Sequence, residues 1–194
     1  MIQSFLEVFK VINTQILICS VLLFLIGYAI APTAYYKKIN WMTAYPFFII
    51  KLMEAFFKKK QHPLKIFFII FFLNTFSLFG NLISAWGIFL PFIVIIYMGL
   101  NIGVVMYHSL NGKFYYLGLI NPVAMIELPA AWLSTTMAMQ FSLKYFMKTS
   151  FLPAIEFVQY MNYFLHTIIP MLLIAGIIET ILIAKSEKYR DSNV

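Results

Sequence analysis

Two acidic residues stand inside long apolar stretches of this sequence. Glu127 lies between Pro122 and Pro129, and Glu179 lies in the run LIAGIIETILI. A carboxylate in apolar surroundings is costly unless it is protonated, hydrogen-bonded or hydrated. Such groups take part in proton or cation chemistry, join helices through hydrogen bonds, or bind a partner. The sequence around the two acids has to decide between these roles.

The composition indicates the medium around the acids. Hydrophobic residues make up 62% of the 194-residue chain and charged residues 11%, with a mean hydropathy of +0.88. Soluble domains are about 45–50% apolar and about 25% charged. The sequence therefore predicts a multi-pass integral protein of the cell membrane, whose first partner is the lipid bilayer.

Apolar runs of sufficient length predict an all-α, polytopic helix bundle with about five transmembrane helices in one domain, 1–194. About 20 apolar residues are needed to cross roughly 30 Å of hydrocarbon. Gly87 and Pro91 separate the second run from the third, so these two form a tight hairpin. Pro122 and Pro129 are expected to break the fourth helix. The runs cover residues 14–31, 64–85, 88–110, 121–147 and 161–184.

One further helix, at about residues 45–60, is too short to cross. It is amphipathic, because Lys51, Glu54 and Lys58 fall on one face and large apolar residues fill the remainder. We expect it to lie in the headgroup layer, where Lys51, Lys58, Lys59 and Lys60 contact the lipid surface, including anionic lipid. It either anchors the bundle or docks a partner.

The basic residues are distributed unevenly along the chain. Most of them fall in the loop after the first crossing or on the same side as that loop. The positive-inside rule therefore places this loop and the C-terminus in the cytoplasm. The net charge of +7 reflects this asymmetry, so we expect contact with lipid and none with nucleic acid.

The two acids are expected at the same depth in the membrane. Each lies about six residues from the end of its helix on the loop side, or roughly 9 Å at 1.5 Å per residue. Asn74 lies about ten residues from that side on the second helix, where it begins a polar stripe at helical spacing. We therefore predict a polar cluster of Glu127, Glu179 and Asn74, either hydrated or dry. The stripe comprises Asn74, Ser77, Asn81 and Ser84 and is expected to face protein or water.

The third helix contains a glycine pair at four-residue spacing. Gly99 and Gly103 fall on one face of this helix. Small residues in this pattern let the backbone of a second helix approach closely. The pair predicts a helix-packing contact, but the sequence does not identify the helix that packs against it.

These motifs together resemble the stage II sporulation protein M family. Glu127-Leu128-Pro129-Ala130, with Pro122 before it, resembles the proline-initiated helix of that family with its Glu-Leu-Pro-Ala core. Further similarity lies in Phe72-Leu73-Asn74, in the pair Gly99 and Gly103, and in the acidic closing helix at residues 173–183. The chain has Val123-Ala124 where members often have His-Gly. The resemblance implies a membrane protein that recruits partners, as members do during forespore engulfment, although relatives also occur in organisms that form no spores.

No enzyme, metal site or cofactor is predicted. The three histidines are scattered, Cys19 is the lone cysteine, and no nucleophile or phosphate-binding motif occurs. Two functions stay open. One is a dimeric scaffold or assembly subunit that recruits membrane or envelope proteins. The alternative is a small oligomeric transporter or channel that uses Glu127 and Glu179 for proton or cation coupling.

Overall fold

The computed structural model describes residues 2–57 and 61–191, which form eight α-helices with short connections. Lys58, Lys59 and Lys60 lie outside the described residues. The helices are α1 (Ile2–Val11), α2 (Thr14–Tyr36), α3 (Asn40–Phe57), α4 (Pro63–Ile83), α5 (Leu90–Ser109), α6 (Ala124–Tyr145), α7 (Phe157–Tyr163) and α8 (Ile169–Asp191). A π-helical turn, Phe164–Ile168, joins α7 to α8. The predicted all-α helix bundle is confirmed.

Among the described residues, four helical segments are long and apolar enough to cross a membrane: Thr14–Tyr36, Pro63–Trp86, Leu90–Ser109 and Phe157–Ser186. They correspond to four of the five predicted crossings. The fifth, predicted at 121–147, corresponds to α6, which has 22 residues but is less apolar. The reason is its position: between residues 130 and 142 every side chain except that of Trp132 is buried. Its polar residues therefore face protein.

Helices α2 and α5 pack side by side in the same direction. Gly27 of α2 approaches Ile96 of α5, and further along both helices Ala31 approaches Gly103. Because the paired residue numbers rise together, the two helices are parallel. Two parallel helices cannot be joined by a short turn, so the chain forms α3 and α4 between them.

Helices α4, α6 and α8 form the second half of the bundle. Ser134 of α6 donates a hydrogen bond to the carbonyl oxygen of Leu78 at 2.7 Å, while Asn81 donates to Thr135 at 3.4 Å. The paired numbers again rise together, so α4 and α6 are parallel. Helix α8 runs opposite to α4, since the ring of Phe79 packs on that of Phe164 and Gly176 faces Phe67.

The N-terminal helix α1 is absent from the sequence prediction. It is only 10 residues long and contains Glu7 and Lys10, so it does not read as a crossing. It is held by α6, because the side-chain amide of Gln140 accepts a hydrogen bond from Asn13 N at 2.9 Å and donates to Val11 O at 3.2 Å. Val8 is fully buried in the main apolar cluster.

Helix α3 begins at Asn40, five residues before the helix that the sequence predicts. One side of it packs against α5, where the ring of Tyr45 contacts that of Tyr97 and Ile50 is buried. Its opposite side exposes large apolar residues together with Lys51. The helix is thus attached to the bundle along one face and free to meet lipid along the other.

Candidate functional site

The candidate site begins at the start of α6. Asn121 precedes this helix, and its side-chain oxygen accepts a hydrogen bond from Ala124 N at 2.8 Å. Its amide nitrogen donates to Gly118 O, also at 2.8 Å. This cap satisfies a backbone donor at the helix start and fixes where the helix begins. Glu127 consequently lies in the first turn of α6, where the positive end of the helix dipole stabilises a negative charge.

The two prolines have different positions. Pro122 is exposed just before α6, so it stands where the helix has not yet begun. Pro129 lies inside α6, which continues through it without interruption. A proline lacks the backbone N–H that would bond to Met125 O. One helical hydrogen bond is therefore missing in the turn that contains Glu127. The break expected at Pro129 is thus limited to this one bond.

Asn74 and Glu127 are in direct contact. The side-chain amide of Asn74 on α4 donates a hydrogen bond to a carboxylate oxygen of Glu127 on α6. Both side chains are partly buried. This contact therefore links α4 to α6 at the end of the bundle where α6 begins.

Glu179 of α8 lies near the same place. It is partly buried and close enough to Glu127 for the two carboxylates to repel each other when ionised. Among the side chains that the structure describes, those of residues 7–56 and 61–186, none donates a hydrogen bond to Glu179 or forms an ion pair with it. The structure therefore brings Glu127, Glu179 and Asn74 to one location, contributed by three different helices.

The polar stripe of α4 is divided between two environments. Asn81 and Ser84 are buried and hydrogen-bonded, and Asn74 is bonded to Glu127. Ser77, by contrast, is exposed on the outer surface of the helix. Three members of the stripe thus face protein and Ser77 does not, because α6 and α8 cover only part of the α4 surface.

The glycine pair of α5 packs against α2. A Cβ atom added at Gly99 would clash with the carbonyl oxygen of Phe24, and one added at Gly103 would lie 2.6 Å from the Cβ of Ala31. Gly27 of α2 makes the reciprocal approach to Ile96 O. A glycine hydrogen points along each of these directions, a geometry that suits Cα–H···O contacts between helices. Gly27 was missed in the sequence, although Gly27-x-x-x-Ala31 has the spacing that would have identified it.

Two grooves on the described residues lie elsewhere, beside α3. One, of about 320 Å³, is lined by residues of α2, α3 and the turn between them, and the other, of about 430 Å³, lies between α3 and α5. Neither is lined by Glu127 or Glu179. Among the described residues no three His, Cys, Asp or Glu side chains are grouped as a metal site would require.

These features define the class of protein: an all-α membrane protein with helices long and apolar enough to span a bilayer and a small cluster of polar side chains inside the bundle. The family model SpoIIM, described as stage II sporulation protein M, matches residues 16–182, which is most of the chain. The chain belongs to this family. No curated protein and no solved structure matches this chain.

Proposed function

We propose that this chain is a non-enzymatic, multi-pass scaffold of the cell membrane that recruits other membrane or envelope proteins and self-associates as a dimer. The observation that supports this best is that polar side chains of α6 form hydrogen bonds to other segments of the bundle. Ser134 bonds to α4, Gln140 to the segment after α1, and Ser142 to Ile88 O at 2.8 Å before α5. These groups hold helices together, so they are not available to line a permeation path.

The helix directions support five crossings. Parallel packing of α2 with α5 and of α4 with α6, together with the opposite direction of α8, is the pattern of a chain that crosses at α2, α4, α5, α6 and α8 in turn. Such a chain has its two ends on opposite sides. The positive-inside rule then assigns the basic α2–α4 loop to the cytoplasm. Cysteine accessibility at Lys113→Cys and Thr149→Cys, in a Cys19→Ser background, tests this: reagent applied from outside should label only position 149.

Self-association and recruitment can be measured directly. We expect single-molecule photobleaching of a fluorescent fusion in nanodiscs to count two copies, and affinity capture after crosslinking in native membranes to recover defined partner proteins. A cysteine is then placed either at Gly80, which has open space around it, or at the exposed Ile93. Crosslinking between two copies at one of these positions shows whether α4 or α5 forms the dimer contact. One copy per nanodisc together with no captured partner contradicts the scaffold.

Proton- or cation-coupled transport is the second candidate, favoured by one observation. Glu179 lies beside Glu127 with no cation or hydrogen-bond donor of its own among the described residues. Two neighbouring carboxylates in a membrane helix bundle are a feature that transporters use. Flux into proteoliposomes should then exceed that of empty vesicles and be lost in Glu127→Gln, with Glu156→Gln as the exposed control. Equal flux in all vesicles excludes this function.

A further inference from the structure

A groove opens at the turn that joins α2 to α3. Its volume is about 320 Å³. Polar groups come from Lys38 and Asn40, and an apolar wall comes from Ala44 and Phe47. The groove therefore combines hydrogen-bond donors with hydrocarbon, as a site for an amphiphilic molecule requires. The complete lining is Tyr35, Lys38, Asn40, Thr43, Ala44 and Phe47.

Exposed aromatic residues indicate the depth of this groove in the membrane. Tyr36, Trp41 and Tyr45 are 72%, 69% and 50% exposed and flank the groove-lining residues in the chain. Tyrosine and tryptophan concentrate where the hydrocarbon meets the headgroups. The groove is thus at the level of lipid phosphates and not in the water beyond them.

The electrostatics of the groove favour an anion. Lys38 ends the turn after α2 with a positive φ of 48°, and Lys37 precedes it. No acidic residue occurs between Glu7 and Glu54 in the sequence, and none lines the groove. The larger groove between α3 and α5 differs, because Glu54 lines it. Only the first groove therefore offers basic and amide donors without a competing carboxylate.

We propose that this groove binds one anionic phospholipid. The Lys38 ammonium and the Asn40 side-chain amide donate hydrogen bonds to the phosphate oxygens, and an acyl chain lies along Ala44 and Phe47. A soluble phosphate would leave the apolar wall exposed, so the geometry selects a lipid. Lys51 is not part of this site, and the site does not depend on whether the chain is a scaffold or a transporter.

The test is lipid binding by the purified, delipidated full-length chain, followed by native mass spectrometry. We expect phosphatidylglycerol to bind at least tenfold more tightly than phosphatidylcholine. Lys38→Gln combined with Asn40→Ala should abolish this preference, and Lys38→Arg should retain it. A monodisperse elution profile and unchanged helical circular dichroism show that each variant is folded.

Lys113→Gln is the matched control, because it removes the same charge from an exposed position after α5, outside the groove. It should change phosphatidylglycerol binding less than twofold. An equal loss in Lys113→Gln and Lys38→Gln indicates diffuse attraction and overturns the proposal, as does no loss in either. Displacement of the lipid by millimolar inorganic phosphate indicates a simple anion site and overturns it as well.

Discussion

The Cα of Gly99 on α5 lies so close to the backbone carbonyl oxygen of Phe24 on α2 that a methyl group added to it would clash. The neighbouring atom is backbone and cannot rotate away. The close packing of α2 on α5 therefore requires glycine at position 99.

Gly99→Ala should lower the free energy of unfolding by about 3 kcal/mol, near the upper end of the usual cost of overpacking. Gly80→Ala is the control on a neighbouring apolar helix, because a Cβ at Gly80 meets no atom within 4 Å. Alanine there should be neutral or stabilise by up to about 1 kcal/mol through helix propensity. Denaturant titration in mild detergent measures both variants. A Gly99→Ala protein as stable as Gly80→Ala contradicts the described packing.

The contact between Asn74 and Glu127 should appear as a coupling energy. In a double-mutant cycle with Asn74→Ala and Glu127→Ala, we expect about 1 kcal/mol, as for hydrogen bonds between membrane helices. Asn74 paired with Glu179→Ala should couple less, since no hydrogen bond joins them among the described residues. The cycle is measured by the same titration, and coupling below about 0.3 kcal/mol for Asn74 and Glu127 argues against the bond.

Two serines separate the buried polar contacts from the exposed ones. Ser134→Ala removes the 2.7 Å hydrogen bond to Leu78 O inside the bundle and should cost about 1 kcal/mol. Ser77→Ala changes an exposed position of α4 and should stay within about 0.5 kcal/mol of wild type. Thermal unfolding followed by circular dichroism ranks the two. The reverse ranking shows that the α4–α6 contact is not formed as described.

Attachment of the N-terminal segment depends on Gln140. Gln140→Leu removes both of its hydrogen bonds to the backbone around Asn13, so α1 should open locally more often. We expect amide hydrogen exchange in residues 2–12 to accelerate about fivefold to tenfold, as a loss of about 1 kcal/mol implies. Gln159→Leu, at an exposed position of α7, is the control and should leave that exchange unchanged. Unaltered exchange in Gln140→Leu means that apolar packing alone holds α1.

The comparison of sequence with structure shows where a single sequence is sufficient. Apolar runs predicted α2, α4, α5 and α8 because lipid imposes a length and a hydropathy on each crossing separately. Helical spacing and depth predicted a cluster of Asn74, Glu127 and Glu179, because both quantities can be counted within each helix separately. The partner of Gly99 could not be found in this way. Gly27 is far away in the sequence, and only the packed structure shows which helices are neighbours.

Polar residues explain the other differences. Helix α1 is attached through Gln140, which reads in sequence as an ordinary polar residue of a helix. Its significance is the hydrogen bond that its side chain accepts from the backbone N–H of Asn13, which lies far away in the sequence. Likewise, Ser77 has the spacing of a buried stripe but is exposed, since spacing defines a face and not what covers it.

The parallel α2–α5 pair also constrains how the protein is made. Gly27 leaves the ribosome about seventy residues before Gly99, which is several seconds at about 5–20 residues per second. During that interval the groove on α2 that will receive α5 is filled by lipid or by the insertion machinery, while α3 and α4 are still being threaded. This close contact between two helix backbones is therefore formed late in synthesis, and a nascent chain stalled before α5 is left with the glycine surface of α2 uncovered.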